Sequence, residues 1–509
     1  MSILDKASLI QIPSGYKSTK LYSLRPTNGD GDFTFARASS ATRVNSEGLI
    51  ETAQVLGSEL VTNGDFATDS DWTKGSGWSI SGGKATKSGT DLAYLTQSSL
   101  ISVIGKTYRV KASITNVTTG NIRIDNFTSG TTYTSNIEID ITYTATSAGV
   151  FRFLGWGGFD GSIDNVSVKE VIENDVPRLD YSGGASCASL LLEPQSTNLV
   201  TYSEDFSQWN AINNVIVTDN FTTSPDGTQN ASKLVFDGTT IGRIELSVSA
   251  SGTNTQSVYL KTESGTQNVS IGAGTADLTE FTITNQWVRY SHTGGGTYPR
   301  ILCNDAATIY VYGAQFEQGS YATSYIPTSG STVTRTADVC NNAGTSATFN
   351  STEGVLFAEI AALNDSTSTS VYSISDGTNA NTLYVGFSST SNTIQAQLVV
   401  GGVAQTNMNY VVTDRTQYNK VAVLYENNNH KMYINGIEAA VDTSGSVPSA
   451  DTFDRVNFDL GQGSFDFYGK TKQLMYFDEA LSDEELSDLT GQANLSFNNL
   501  ATFYGYTIL

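Results

Sequence analysis

The sequence predicts an all-β protein made of serial antiparallel β-sandwiches, with one short helix near the C-terminus. Its 509 residues include 47 Gly and abundant Ser, Thr and Asn, while only 15% are charged. That composition favours many short strands joined by tight turns. Long stretches of Ala, Leu, Glu and Lys, which helices need, are nearly absent. A chain of this length exceeds what one core can organise, so about three or four domains are expected.

An internal repeat indicates two copies of one sandwich. Leu60-Val61-Thr62, Asp65-Phe66 and Trp72 recur in the same order as Leu199-Val200-Thr201, Asp205-Phe206 and Trp209. Each copy opens a run of roughly 110 residues in which strand-like segments alternate with turns. Because Trp72 and Trp209 occupy equivalent positions, we expect both to lie in the sandwich cores.

Strand signals follow along both copies and continue into a third region. Alternating or apolar segments lie at residues 106–114, 150–154, 163–168, 309–316, 354–360, 383–387, 420–425 and 431–436. Residues 427–430 and the Asn435-Gly436 pair supply hairpin turns. Ser482 followed by Glu485 forms a capping-box signal for the one convincing helix, which is expected to end at Gly491.

These signals divide the chain into six segments. They are an N-terminal β/loop attachment framework (1–58), a first sandwich (59–172), a connector belonging to the framework (173–198), a second sandwich (199–334), a third sandwich (335–494) and an aromatic-bearing tail (495–509).

Charge and cysteine content exclude several classes of function. The net charge of −22 argues against a surface that binds nucleic acid or anionic lipid. No signal peptide and no apolar run long enough for a membrane span are recognisable. The three cysteines, Cys187, Cys303 and Cys340, match no zinc pattern, and we expect folding in a reducing compartment without disulfides.

Four segments together resemble a module that is widespread in tailed-bacteriophage virion proteins. They are residues 33–50, 177–181, 190–199 and 319–327. In that family the first two pieces usually follow one another closely, whereas here the first sandwich lies between them. The resemblance implies a virion component, a tail or head fibre or appendage adhesin, made in the bacterial cytoplasm and exposed on the particle. Its expected partners are other virion proteins, copies of itself in a trimer, and host cell-surface glycans.

Two further resemblances concern the sandwiches. Asn63-Gly-Asp-Phe66 and Ile163-Asp-Asn-Val166 are similar to the first and last strands of galactose-binding-like jelly rolls, a carbohydrate-binding-module type. Residues 431–436, 469–478 and 481–486 resemble a laminin-G or concanavalin-A-like lectin sandwich. The implied architecture is therefore two jelly rolls followed by a concanavalin-A-like sandwich.

Sugar recognition needs flat aromatic faces with amides and carboxylates nearby. The sequence candidates for carbohydrate binding are Trp156, Trp78, Trp287, Tyr310 and Tyr312. Trp156 is the leading candidate, because the flanking glycines in Gly155-Trp-Gly-Gly158 would leave its ring accessible. The alternative for each is a place in the core.

Similarity to the jelly-roll family also implies a structural Ca²⁺ in the first sandwich, with Asp65 and Asp164 as ligands. The acidic residue that usually follows Phe66 is Ala67 here, so half of that site is missing. The alternative is that both aspartates cap turns. The second copy has Ala314-Gln315 at the corresponding place, which predicts no site there. No other cofactor is expected to be required.

The sequence predicts a protein that is not an enzyme. Glu138-Ile-Asp140-Ile-Thr-Tyr143 begins a glycosidase-like carboxylate pattern and lacks its final Glu. The two histidines, His292 and His430, adjoin no nucleophile motif. The rival interpretations are a purely structural decoration protein without a ligand and, third, a polysaccharide depolymerase.

Overall fold

The computed structural model describes residues 3–128, 130–173, 175–274, 277–365 and 368–491, and it confirms the all-β prediction. The tail at 495–509 lies outside these residues. A 3-10 helix, Ile3–Lys6, precedes six short strands: Ala7–Gln11 (β1), Tyr16–Lys17 (β2), Lys20–Leu21 (β3), Phe33–Ala36 (β4), Thr42–Val44 (β5) and Ile50–Thr52 (β6). Within the described ranges, no helix has the length and apolar character needed to cross a membrane.

The first sandwich is one antiparallel sheet folded around a core. Its strands in the described residues are Val55–Glu59 (β7), Thr73–Lys74 (β8), Trp78–Ser81 (β9), Lys84–Lys87 (β10), Ala93–Ile101 (β11), Thr107–Asp125 (β12), Thr132–Tyr133 (β13), Ile137–Thr144 (β14) and Val150–Glu173 (β15). The long strands β12 and β15 pair with each other and with several partners. Register shifts interrupt the β12–β15 ladder, and such irregularities bend strands.

The second sandwich follows three connector strands, Leu179–Asp180 (β16), Ser189–Leu192 (β17) and Ser196–Asn198 (β18). Its own strands are Asn210–Ile212 (β19), Ile216–Thr222 (β20), Ala231–Asp237 (β21), Gly242–Glu245 (β22), Asn254–Thr262 (β23), Thr266–Gly272 (β24), Leu278–Thr284 (β25), Val288–Gly294 (β26), Arg300–Cys303 (β27) and Ala306–Gln318 (β28). Two five-stranded sheets, β19-β22-β27-β24-β25 and β20-β21-β28-β23-β26, enclose its core.

The third sandwich contains the helix. Its region begins with Val333–Arg335 (β29) and Val339–Asn341 (β30) and continues with Glu353–Ala362 (β31), Ser370–Ser375 (β32), Thr382–Phe387 (β33), Thr393–Val400 (β34), Val403–Val411 (β35), Asn419–Glu426 (β36), Asn429–Ile434 (β37), Ile437–Asp442 (β38), Arg455–Asn457 (β39), Gly469–Phe477 (β40) and the α-helix Asp483–Thr490 (α1). The sheet β35-β34-β33-β32-β39 packs on a larger sheet that includes β40, β31, β36, β37 and β38.

The predicted N-terminal framework is not a separate unit. Strand β1 pairs antiparallel with β40, and β17 pairs with the other part of the same strand. Strand β4 pairs with β30. Leu9, Phe33 and Leu190 lie in the core of the third sandwich. Strands β1, β4 and β17 therefore complete the third sandwich, and the pairing of β1 with β40 spans more than 400 residues, which local sequence patterns cannot show.

The predicted helix is confirmed with its caps. The Ser482 hydroxyl accepts from the Glu485 amide, and the Glu485 carboxylate accepts from the Ser482 amide at 2.9 Å, which completes the capping box. Gly491 is the C-cap. The predicted turns at Asn427-Asn428 and Asn435-Gly436 also form, with Asn435 and Gly436 at φ of 51° and 90°, as a tight hairpin requires.

The internal repeat has matching packing in both copies. The Phe66 and Trp72 rings lie 5.2 Å apart, and the Phe206 and Trp209 rings lie 5.3 Å apart. Each indole donates to a backbone carbonyl at 3.0 Å, and both tryptophans are buried. Their expected core positions are confirmed.

A buried ion network joins the segments that resemble the phage module. Asp338 accepts from Arg37 at 3.0 Å and also pairs with Arg178. Glu193 pairs with Arg178 at 2.5 Å and with Arg335 at 2.8 Å. All five side chains are at most 4% exposed.

Opposite charges compensate one another within this network. Burial by itself would raise the pKa of Glu193, but the Arg335 and Arg178 guanidinium groups hold that pKa far below its ordinary value. Ser324 adds a hydroxyl that donates to Glu193 at 2.6 Å. The network therefore ties the N-terminal segment, the connector and the entry to the third sandwich into one structure.

Candidate functional site

Three of the five predicted carbohydrate-binding residues meet on one face of the second sandwich. Ile309 and Val311 of β28 point into the core, so the alternating Tyr310 and Tyr312 lie on the opposite, outer face of the β20-β21-β28-β23-β26 sheet. Trp287 directly precedes β26 at the edge of that face.

Strand register places aromatic and basic side chains in one line across this face. Tyr310 is opposite Lys233 of β21 on one side and opposite Lys261 of β23 on the other. Phe221 stacks on Tyr310 at 5.8 Å and 13°, and Trp287 lies beyond Lys261. We call these five residues the aromatic–lysine row.

The row is partly open to solvent. Phe221 is 43% exposed, and Trp287 is half-buried. Tyr310 is only 7% exposed beneath Phe221, so it supports the exposed rings and does not face a ligand, which corrects its prediction. The Trp287 indole donates to the Thr223 carbonyl at 3.0 Å, which fixes the ring's orientation. Beside the row, the Asn220 amide donates to the Asn136 carbonyl of the first sandwich at 3.3 Å. The second sandwich therefore presents a row of rings near its contact with the first.

Lysine ammonium groups lie over the rings of this row. The Lys233 Nζ is 3.9 Å from the Phe221 centroid. The Lys261 Nζ is 4.9 Å from the Trp287 ring and 5.5 Å from the Tyr310 ring. Desolvation lowers the pKa of Lys261. Sequence reasoning missed both lysines and Phe221. Lys233 alternates with the core residue Leu234, and Lys261 alternates with the core residue Leu260, and this alternation could have placed both lysines on the outer face.

Tyr312 is not available to a ligand, which corrects its prediction. It is 2% exposed, and its hydroxyl donates to Asp226 at 3.1 Å and to Glu204 at 3.3 Å. Tyr325 also donates to Glu204, at 2.8 Å. Burial raises the pKa of Glu204 to about 7, and the Asp226 charge acts in the same direction, although the tyrosine hydrogen bonds oppose them.

Trp156 lies on a second aromatic face, in the first sandwich. It is half-buried, and the Arg123 guanidinium is 5.5 Å from its ring centroid. On the neighbouring strand β11, the centroid of the Tyr94 ring lies 4.1 Å from the Arg152 guanidinium. Asp125 pairs with both arginines, at 2.7 and 3.1 Å. Trp156 is therefore half-buried beside charged groups, and its role in carbohydrate binding stays a prediction.

The prediction that Trp78 binds carbohydrate is wrong. Its ring is 7% exposed and packs near Phe159 in the first core, at 6.4 Å between centroids. Its indole donates to the Ala93 carbonyl at 3.2 Å. Strand β9 alternates buried and exposed residues, and Trp78 falls on the buried face, so it cannot stack on a sugar.

The two predicted calcium ligands both form local turn hydrogen bonds. Asp65 accepts from the Ala67 amide at 3.3 Å, and Asp164 accepts from the Asn165 amide at 2.7 Å. No cluster of three or more His, Cys, Asp or Glu that could hold a metal occurs among the residues described. These contacts agree with the turn-capping alternative, and calcium binding stays a prediction.

The carboxylates of the glycosidase-like pattern have other partners. Arg109 donates twice to Asp140 at 2.7 Å, and Lys111 adds an ion pair at 3.0 Å. Burial opposes ionisation, but these cations lower the pKa of Asp140. Glu138 accepts from Ser113 at 2.7 Å. Asp140 is thus held ionised, which is unsuitable for an acid that must donate a proton at neutral pH.

His292 has partners that the sequence did not reveal. Its Nδ1 lies 2.8 Å from the Thr279 hydroxyl, and its Nε2 lies 3.0 Å from Asp277. Asp277 also accepts from the Gly295 amide at 2.9 Å. These contacts cross-link β25, β26 and the following turn. His430 is fully buried, which lowers its pKa.

Comparison with known families gives one match. Residues 356–487 match the family model of the concanavalin A-like lectin/glucanases superfamily. This match supports the predicted concanavalin-A-like sandwich, and its description covers lectins and glucanases alike. No curated protein matches the chain in a sequence search.

Solved structures with local likeness are mostly parts of carbohydrate-related proteins. The CBM40 of an IT-sialidase from Ruminococcus gnavus, bound to alpha2,3 sialyllactose, is 21% identical, with 28% of this chain and 83% of that chain covered and a TM-score of 0.24. The NanB sialidase from Streptococcus pneumoniae is 15% identical, with 30% of this chain and 26% of the sialidase chain covered and a TM-score of 0.25. The CBM22-1–CBM22-2 tandem of Paenibacillus barcinonensis Xyn10C is 12% identical, with 52% of this chain and 97% of the tandem covered and a TM-score of 0.20.

The chain spans about a quarter of the length of the NanB sialidase. What the comparisons contribute is the lectin/glucanase fold of residues 356–487.

Proposed function

We propose that this protein binds carbohydrates without cleaving them, through the aromatic–lysine row. One observation carries the proposal: Phe221, Tyr310 and Trp287 come together on one sheet face although they are distant in sequence. Aromatic rings of this kind stack on the apolar faces of sugar rings. The Trp156 face of the first sandwich and the lectin-like match of residues 356–487 support the same chemistry.

The finer proposal is a tailed-phage virion protein, displayed as a trimeric fibre or appendage adhesin that engages host glycans. Sequence resemblance of residues 33–50, 177–181, 190–199 and 319–327 supports it. Weak single sites on a trimer would gain avidity from their linkage. Antibody labelling of purified particles and light scattering of the purified chain test location and oligomeric state. A monomer that is absent from particles would contradict this part.

A glycan array probed with the full chain tests carbohydrate binding. Trp287→Ala should reduce the signal for bound glycans by about five-fold, since stacking of one ring contributes on the order of 1 kcal/mol. The matched control is Tyr298→Ala, an aromatic of the same sandwich that is 45% exposed and lies outside the row. Absence of binding to any glycan would favour the structural interpretation instead.

Release of reducing ends from a bound polysaccharide separates binding from cleavage. We expect none from the wild-type chain. Release that is abolished in Glu138→Gln or in His292→Ala would overturn the non-enzymatic assignment and locate the catalytic group.

A further inference from the structure

The lysines of the aromatic–lysine row lack the partners that most basic side chains have here. The chain carries 28 Lys and Arg against 50 Asp and Glu, so acidic groups outnumber basic ones. Among the described residues, neither Lys233 nor Lys261 forms an ion pair within 4.0 Å; both contact aromatic rings. The Tyr310 hydroxyl donates to one acidic neighbour of the row, Glu263, at 3.4 Å.

Register sets the spacing of these two charges. Lys233 and Lys261 lie opposite Tyr310 on its two neighbouring strands. Adjacent strands are about 4.8 Å apart, so their Cα atoms are separated by roughly 10 Å across the Tyr310 strand. A carboxylate at the centre of the row would therefore have an ammonium group on each side.

Occupation of the ring faces by ammonium groups makes the row selective. A neutral sugar must displace Lys233 from Phe221, or Lys261 from Trp287, and it offers the displaced cation no new partner. A sugar with a carboxylate offers a charge-assisted hydrogen bond in exchange. The cost of uncovering the rings is then offset only for the acidic ligand.

We infer that the aromatic–lysine row selects saccharides that carry carboxylates, with the sugar ring against Phe221 or Trp287 and the acid group between Lys233 and Lys261. This inference rests on the proposed carbohydrate binding and adds the ligand class. The Trp156 face differs, because Asp125 already pairs with Arg123 and Arg152. Acid selectivity therefore belongs to the second sandwich.

The test compares tetragalacturonic acid with its carboxyl-reduced form by calorimetric titration of the full chain. The acidic probe should bind at least ten-fold more tightly, and its affinity should fall with added salt. The Lys233→Gln/Lys261→Gln double variant should lose that preference, so that its affinities for the two probes become equal. Lys84→Gln, which removes a lysine of the first sandwich, should keep the preference.

The outcomes separate this inference from the proposed function. Equal affinity of the wild-type chain for both probes, or an unchanged preference in the double variant, would overturn acid selectivity and leave carbohydrate binding in place. A chain that binds neither probe and no glycan on the array would overturn both. Circular dichroism of each variant confirms that a loss of binding is not a loss of fold.

Discussion

Removal of one carboxylate from the buried ion network should destabilise the protein strongly. Asp338→Asn keeps the shape of the side chain but removes the charge that pairs with Arg37 at 3.0 Å and with Arg178. The new amide would direct a donor towards guanidinium groups that are also donors. Arg37 would lose its paired carboxylate, and Arg178 would keep the Glu193 carboxylate, at 2.5 Å.

The magnitude follows from burial. All these side chains are at most 4% exposed, and loss of one partner of a buried pair costs about 3–5 kcal/mol, because a charge is left without compensation. For a domain of this size, that loss corresponds to a fall in Tm of roughly 10 °C. The network joins the N-terminal segment and the connector to the third sandwich. The calorimetric transition of that sandwich should therefore move most.

Differential scanning calorimetry is the appropriate assay, because several domains need not unfold in one step. Glu170→Gln is the control: it breaks the exposed Lys106–Glu170 pair of 2.8 Å, which solvent screening makes weak. If the Tm of Asp338→Asn lay within a degree or two of the control, the network would not hold the segments together, and the reasoning would fail.

Three further predictions follow from individual residues. Burial raises the pKa of Glu204 to about 7, so the folded state holds a proton that the unfolded state releases; stability should fall as pH rises from about 4.5 to 7. Glu204→Gln should flatten that slope in urea titrations at several pH values, whereas Glu280→Gln, an exposed change in the same sandwich, should not. If Asp65 and Asp164 bind calcium, added Ca²⁺ should raise the Tm of the first sandwich and EDTA should lower it; no shift would reject the site. Trp156→Ala should reduce binding of neutral glycans several-fold without loss of the acid preference, and unchanged binding would show that the first face is not used.

Local signals predicted local structure well. The Ser482–Glu485 capping box and the Asn435-Gly436 turn needed only neighbouring residues, and both formed as expected. The repeat correctly placed Trp72 and Trp209 in the cores. Trp78 was a wrong candidate, because residue type alone does not say which face of a strand a ring occupies.

The site itself depended on register between distant strands. Lys233, Lys261 and Tyr310 come from three strands, and no local pattern shows that β28 lies between β21 and β23. A shift of one residue in any pairing would turn these side chains to the opposite face of the sheet. The same holds for Asp338, whose partner Arg37 is 301 residues away.

By itself, the sequence determined the β class, the repeated sandwich, the capped helix and the supply of aromatic rings, because composition, periodicity and capping act over a few residues. Only the tertiary structure decided that the N-terminal strands complete the third sandwich, which arginines share buried carboxylates, and which rings remain open with ammonium groups beside them. Those outcomes depend on long-range strand pairing and on burial, and both arise only when the whole chain is folded.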